Sequence, residues 1–496
     1  MQFLIIIVAG IVFLAPWPIY PSEDAMILFR YSENLIRYGI ITYNPADHVP
    51  VEGATDFLWM VMLAALYGLH IPTYFASRLV SLLSLLGLGW IFSRLISKSE
   101  YRSTFYPAIV LFIMLQVPFW AAITGFSVYC FAFALFLSLW GFWENRYGIM
   151  ILWGLISCLI RPDGCVFIAP LVAGYWLLNP ATLSIRKNIV ITITAVIAGL
   201  AYFLWRWHYF GLLLPLPFYV KSDCPRLLGV VCASSLEKHI ATLTFYAPLL
   251  LYIVPGIRAL EKPAQNKCYI IAIAFIAVPF LFYMTMHLTQ NVAFRFYFPI
   301  MLTFPALATI VYRHASARRF WLLMALCTAI QLPVHINEGF DAVTPVGFLG
   351  IAKALGTLPY KGKIMASEAG VLAYYSGWET FDTVGLNTPK AALGRFQPED
   401  IGLFNPDLIV LAVPTAHTDD RYSIMVQNVF SGVNGGNYEH YRLNGFYHLP
   451  PMAHMFNWLR GHKTLNSPLI GECWIRRDSP AYADLRRILE ANGATP

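Results

Sequence analysis

Charge is what this sequence has least of. Only 12% of its 496 residues are Asp, Glu, Lys or Arg, against 58% hydrophobic residues, where a soluble globular chain carries about a quarter charged. That scarcity excludes an ordinary water-soluble domain. The start of the chain also lacks the basic stretch of a cleavable signal, and Pro16-Trp17-Pro18 stands where small residues would mark a cleavage site. The first apolar segment is therefore expected to remain as a membrane span. No glycine-rich dinucleotide fingerprint opens a helix anywhere, so no soluble nucleotide is called for. No internal repeat or low-complexity tract is present.

What is present is a succession of apolar runs, each of about 15 to 22 residues, continuing to residue 334. They predict a polytopic α-helical membrane protein. The net charge of +7 is spread over short polar gaps: Arg94, Lys98 and Arg102; Arg146; Arg186 and Lys187; Arg258, Lys262 and Lys267; Arg313, Arg318 and Arg319. Placing all five gaps on the cytoplasmic side satisfies the positive-inside bias, and no nucleic-acid partner is needed to explain them. The placement requires that residues 56–69 not cross, so this segment is expected to be an interfacial or re-entrant helix within a first external loop, 21–72. The expected spans are roughly 3–20, 73–93, 104–120, 124–142, 147–160, 165–179, 188–205, 239–255, 268–286, 296–312 and 320–334, about eleven in all. This alternation puts Glu23 and Asp24, the loop to Asp56, Arg161-Pro-Asp-Gly164, segment 206–237, the stretch Gln290 to Arg295 and the whole C-terminus on the external face.

Cysteine usage agrees with that assignment. Of eight cysteines, Cys130, Cys158, Cys165, Cys268 and Cys327 fall in apolar spans and read as packing residues. Cys224 and Cys232 share an external loop, where an oxidising compartment favours a disulfide. Cys473 has no evident partner. From about Asn337 the hydrophobic runs shorten to strand length, as in Lys363–Ser367 and Asp407–Ala412, with helical candidates at Gly347–Leu358, Asp420–Val429 and Ala481–Ala491. A soluble external α/β domain is expected over residues 335–496, following a membrane domain over 1–334. Ser367-Glu-Ala-Gly370 follows a strand but holds a single glycine, too little for a phosphate loop; a strand-to-helix turn is the simpler reading.

Several polar groups converge on the external ends of the spans. Glu23 and Asp24 stand where the first apolar segment runs out. Carboxylates at the mouth of a membrane helix are poorly solvated, so their charge marks either a helix end in water or a site that handles protons. Glu52 and Thr55 close the first loop. Arg161 and Asp163 end a nearly all-apolar helix, where a lone Arg would read as a snorkelling anchor but a neighbouring Asp points to pairing or ligand binding. His208, Tyr219 and Lys221 follow, on a path stiffened by Pro215 and Pro217. His287, Gln290 and Arg295 flank a further external turn.

The run Glu23-Asp24-Ala-Met-Ile-Leu-Phe-Arg30-Tyr31, with Asn44-Pro45 and Glu52-Gly-Ala-Thr55, resembles the first external loop of bacterial GT-C glycosyltransferases, above all the mycobacterial terminal arabinofuranosyltransferases. Further points of likeness are Arg161-Pro-Asp-Gly164, Tyr209-Phe-Gly211 with Pro215 and Lys221, Arg295 with Pro299, and, in the tail, Glu368-Ala-Gly370, Tyr374-Tyr375-Ser-Gly377, Asp382 and Gly385-Leu386. Two positions depart from the pattern: Glu23 replaces the first Asp of an acidic pair, and Leu216 stands where Asn is frequent. The resemblance implies a GT-C fold in the bacterial inner membrane. It implies transfer of a sugar, arabinofuranose in the subclass the motifs resemble, from a polyprenyl-phosphate donor to an envelope glycan, lipid or protein acceptor such as pilin on the periplasmic face. Asp24 and Glu23 would be catalytic, with Asp24 the better-placed base. Arg161, Lys221, Arg295 and His208 would meet the donor phosphate, while Arg30, Glu52, Thr55, Asp163, Tyr219, His287 and Gln290 would bind substrate. No cofactor is required, although Asp24 and Glu23 could hold a divalent cation. A lipid-linked-saccharide flippase and a glycan polymerase are the alternative functions; the one-sided clustering of polar groups and the lack of matched interrupted helices speak against the flippase.

Overall fold

The computed structural model describes residues 2–96, 102–221, 226–227, 231–286, 288, 291–312, 317–344, 347–414, 421–433, 437–443 and 469–496. Five of its helices are long and apolar enough to cross a membrane: Thr73–Leu95, Arg186–Phe210, Ser235–Arg258, Lys262–Met284 and Ala317–Val343. Shorter apolar helices accompany them, among them Gln2–Leu14, Val128–Trp143, Tyr147–Ile160, Gly164–Leu178 and Phe298–Ile310. Helix Phe298–Ile310 is buried along its whole length. Helix Arg186–Phe210 is the opposite case: its most apolar window has a mean hydropathy of 1.9 and none of it is buried in the protein. So apolar a surface left uncovered cannot face water, so its surroundings are lipid. The chain is a multi-pass membrane protein.

Between the first two expected spans lies helix Glu23–Tyr38, which is amphipathic and opens on its two acidic residues, a favourable place for negative charge. It closes on Gly39, whose φ of 71° suits a left-handed cap. Helix Phe57–Gly68 occupies the segment expected to lie at the interface. Further on, strands β1 (Arg226–Leu227) and β2 (Val231–Cys232) pair antiparallel. Cys232 is disulfide-bonded; its expected partner, Cys224, lies outside the described residues. Six cysteines are free, and one of them corrects the expectation of simple packing: Cys165 is exposed. It occupies the first turn of its helix, where the bundle ends.

Helix Ala317–Val343 runs through the expected domain boundary without a break. Beyond it, β3 (Lys363–Ala366), β4 (Glu379–Asp382), β5 (Leu408–Pro414), β6 (Tyr438–Leu443), β7 (Leu469–Arg476) and β8 (Ala494–Thr495) form one mixed sheet in the order β4-β3-β5-β7-β6-β8. The pairs β3–β4 and β3–β5 are parallel and the rest antiparallel. With helices Leu349–Thr357, Arg421–Val433 and Tyr482–Ala491, this is the expected C-terminal α/β domain.

That domain is held against helix Glu23–Tyr38 and the loop after it by buried polar contacts. Arg30 donates to the carbonyls of Tyr43 (2.7 Å), Trp378 (2.9 Å) and Ala373. The Asn44 side chain exchanges two 3.0 Å hydrogen bonds with the Thr380 backbone, one in each direction. Tyr374 donates to Glu33 at 2.7 Å. Gly53 fits tightly here: a Cβ on it would come within 2.6 Å of the Leu386 carbonyl and the Tyr31 hydroxyl.

Candidate active site

The ends of several helices meet around one cavity of about 350 Å³. Its wall takes Asp24 from the start of helix Glu23–Tyr38, Thr55 and Asp56 from the start of Phe57–Gly68, and Ser127 from the start of Val128–Trp143. Arg161 and Asp163 come from the turn joining Tyr147–Ile160 to Gly164–Leu178, Tyr283 from the end of helix Val278–Met284, and Arg295 from just before helix Phe298–Ile310. All these helix ends belong to the same side in the alternation drawn from the basic gaps. Most of the remaining wall is apolar, including Trp59, Phe126, Phe218 and Phe296, and one residue of the C-terminal domain, Leu386, reaches it. An apolar chamber with a few converging charges is the usual form of a small-molecule or cofactor site.

Arg295 follows an unusual stretch of backbone. The residues before it, Ala293 and Phe294, hold positive φ values of 47° and 57°, a strained path for side chains of that kind. Arg295 is buried beyond it, and one nitrogen donates to Asp24 at 2.6 Å. Its guanidinium lies 4.1 Å from the Phe126 ring centre. The side chain is 6% exposed, and its second terminal nitrogen, Nη1, is buried without a hydrogen-bond partner. A buried donor left empty costs about 1–3 kcal/mol, which an incoming acceptor would relieve.

Arg161 is fully engaged by comparison. Its Nε and Nη2 grip Asp163 at 3.0 and 2.6 Å, and Tyr283 donates to the same carboxylate at 2.6 Å. Phe296 lies beside both guanidinium groups, with its ring centre 4.6 Å from Arg161 and 5.1 Å from Arg295. Aromatic faces of this kind stabilise a desolvated cation. Asp56 accepts from Ser127 and, at 3.2 Å, from Thr55.

Of the residues expected at a site, the cavity thus brings together Asp24, Thr55, Arg161, Asp163 and Arg295. Glu23 does not line it. Its carboxylate turns to the C-terminal domain and accepts from the backbone amides of Gly370 and Val371, the latter at 2.9 and 3.0 Å. Burial and the nearby Glu368 charge push its pKa well above the usual carboxylate range. The two members of the acidic pair therefore have different partners, and among the described residues no three His, Cys, Asp or Glu side chains are grouped to hold a metal ion. Arg30 is spent on the domain contact described above. Glu52 is paired with Arg206, Nε to Oε1 at 2.8 Å, with both side chains buried. His208 is exposed near the end of its helix, and Tyr219 is half-buried away from the cavity wall. Lys221 ends helix Leu216–Lys221, its side chain outside the described residues, as are His287 and Gln290. Pro215 and Pro217 of the same stretch do line the cavity.

Asp56, Ser127, Tyr283 and Phe296 were not anticipated as site residues. Asp56 carried a usable signal, an acid at the mouth of an apolar helix like Glu23 and Asp24. The aromatic pair carried none, since Tyr and Phe are common throughout the spans.

A helical membrane bundle followed by a small C-terminal α/β domain is a fold found among solved structures. Two crystal structures of ArnT from Cupriavidus metallidurans share it. The one bound to undecaprenyl phosphate superposes with a TM-score of 0.58 at 13% identity, covering 83% of this chain and 93% of that one. The apo form gives 0.55 at 14% identity, with 83% and 92% covered. A family model described as a domain of unknown function (DUF8728) matches residues 343–459. No curated protein matches the chain.

Proposed function

We propose that this protein is a membrane glycosyltransferase that takes a sugar from a polyprenyl-phosphate donor and transfers it to a hydroxyl of an envelope glycan, lipid or protein. The observation that carries the proposal is the state of Arg295, a residue of the chamber wall that holds Asp24 with one nitrogen and keeps another buried without a hydrogen-bond partner. The shared architecture with a protein crystallised with undecaprenyl phosphate supports a lipid phosphate as the anion. In this reading the acceptor hydroxyl attacks the anomeric carbon and gives its proton to Asp24. The bond from that carbon to the phosphate oxygen breaks, and the polyprenyl phosphate departs with the electron pair. Arg295, with Arg161 nearby, stabilises the charge that develops on the leaving oxygen. The motif likeness through Asp24, Arg30 and Glu52-Gly-Ala-Thr55 favours arabinofuranose as the sugar. The positive-inside bias favours an inner-membrane protein with the chamber and C-terminal domain facing the periplasm.

The test is transfer by the full chain in liposomes supplied with polyprenyl-phosphate arabinose and candidate acceptors. One added sugar per acceptor is expected, and Asp24→Asn should lower the rate by about 10²- to 10⁴-fold, the range for a lost general base. Full activity in that variant would remove Asp24 from the chemistry. A growing chain as product would indicate a polymerase, and unmodified lipid on the opposite leaflet a flippase.

A further inference from the structure

The chamber wall holds three aspartates, and their side chains are engaged differently. Asp24 is held by Arg295, and Asp163 by Arg161 and Tyr283. Asp56 also lines the chamber, yet its carboxylate accepts from two neutral hydroxyls, those of Ser127 and, at 3.2 Å, Thr55. Asp56 is the N-cap residue of helix Phe57–Gly68, and Ser127 is the N-cap residue of helix Val128–Trp143. Asp and Ser are favoured there because their side chains accept from the free amides of the first turn. Neither does so here. Each forgoes its own helix, and the two side chains bond to one another in the chamber wall.

The hydrogen-bonding capacity left around Asp56 is of one kind. An ionised carboxylate accepts at about four lone-pair positions and donates nothing; Ser127 and Thr55 take up part of that capacity. Both hydroxyls give their one proton to Asp56, so what remains on their oxygens is acceptor capacity too. Arg295 is the complement, since its buried and unpartnered Nη1 can only donate. One wall therefore carries a spare donor at Arg295 and a group of spare acceptors at Asp56. Phosphate oxygens, which only accept, match the first and are repelled by the second. Sugar hydroxyls, which donate, match the second.

We propose that Asp56, braced by Ser127 and Thr55, binds the hydroxyls of the sugar to be transferred while the donor phosphate is held at Arg295. The assignment rests on the transferase reading and deepens it. Asp24 and Arg295 serve the bond that breaks, and Asp56 selects what is carried across. A carrier that has lost its sugar satisfies Arg295 and leaves the acceptors at Asp56 without a partner. The chamber therefore favours a loaded carrier over a spent one.

The experiment measures, by native mass spectrometry of the full-length protein in detergent, the affinities for undecaprenyl phosphate, undecaprenyl-phosphate arabinose and undecaprenyl-phosphate glucose. The native protein is expected to bind at least one of the sugar lipids about tenfold or more tighter than the bare phosphate, the scale of one hydrogen bond to a charged group. Asp56→Asn and Asp56→Ala should lose that preference and keep the affinity for undecaprenyl phosphate. The Asp56 side chain makes no cap bond, so neither substitution takes one from the helix. Ser127→Ala, which leaves the carboxylate but removes its brace, should lose part of the same preference, and it carries the test if the Asp56 variants do not fold. Arg295→Lys should weaken all three lipids. A native protein that binds the three equally, or a preference retained in the Asp56 and Ser127 variants, overturns the assignment and leaves the transferase reading standing. Failure of the native protein to bind any of the three overturns both.

Discussion

At the scale of single residues, the acidic pair divides its work. Asp24 faces the chamber and meets Arg295, whereas Glu23 reaches away to the amides of Gly370 and Val371. The extra methylene of Glu23, a departure from the pattern the chain otherwise resembles, is what lets one helix start touch both places. Glu23→Asp should therefore act on the domain contact first. Shortened by one methylene, the side chain loses a hydrogen bond to a backbone amide, for a stability cost of roughly 0.5–1.5 kcal/mol. Transfer should fall far less than in Asp24→Asn, and comparing the melting temperature and the rate of the two variants separates the roles. Arg295 offers a sharper case. Arg295→Lys keeps the charge but loses the planar fork that spans Asp24 and the empty position. Its expected signature is a raised KM for the lipid donor, at least about tenfold given the approximately 1.4 kcal/mol per decade scale, with the fold intact by circular dichroism. An unchanged KM would mean that Nη1 does not meet the donor. The sequence made these charges visible because they interrupt apolar runs. It could not reveal their partners: the Asp24–Arg295 contact joins residues 271 positions apart, and the strain at Ala293 and Phe294 has no glycine to announce it.

At the scale of elements, helix Glu23–Tyr38 is the joint of the molecule. Asp24 sits in its first turn, and Arg30, further along it, gathers three backbone carbonyls from the loop and the C-terminal domain. The residues that the resemblance groups as one motif thus serve two structural ends. Arg30→Met should strip those carbonyls of their donor and lower the melting temperature markedly, by several degrees. Arg37→Met removes contacts of a half-exposed side chain with Glu33 and the Tyr67 hydroxyl and should cost about 1 kcal/mol or less. Equal effects from the two variants would show that Arg30 is not holding the joint. Strands β3 and β5 were legible as short apolar runs, and so were three of the tail's helices, Leu349–Thr357, Arg421–Val433 and Tyr482–Ala491, whereas the short helices Val371–Ser376, Pro389–Ala392 and Glu399–Phe404 were not. Strand β4 was hidden because Glu379, Thr380 and Asp382 lend it polarity, although it pairs with β3 and meets the Asn44 side chain from outside the sheet. The π-helical segment Ile273–Ala277 inside an otherwise α-helical span likewise leaves no mark in a uniformly apolar run.

At the scale of the whole molecule, the seam between the membrane domain and the C-terminal domain is lined with carboxyl groups. Glu23 and Asp24 approach it from one side, Glu368 and Asp382 from the other. Burial and the charges of Asp24 and Asp382 push Glu368 up to about 7. Burial likewise raises Asp382 to about 6, against the hydrogen bonds it accepts from Gly385, Asn387 and Val384. Unfolded, both groups would titrate near about 4. With folded values above unfolded ones, the folded protein binds more protons in between, so stability declines as pH rises through that window. The contribution is complete below about pH 4 and lost by the time pH passes about 7. This is the reverse of a carboxylate held by a salt bridge, and it makes the joint tightest on the acid side of neutrality. The full-length protein in detergent should show a melting temperature that falls between about pH 5 and pH 8, on top of any change shared by all its carboxylates. Glu368→Gln, neutral throughout, should flatten that slope and raise the melting temperature at the alkaline end. A slope identical in the native and variant proteins would mean that Glu368 does not set the strength of the seam.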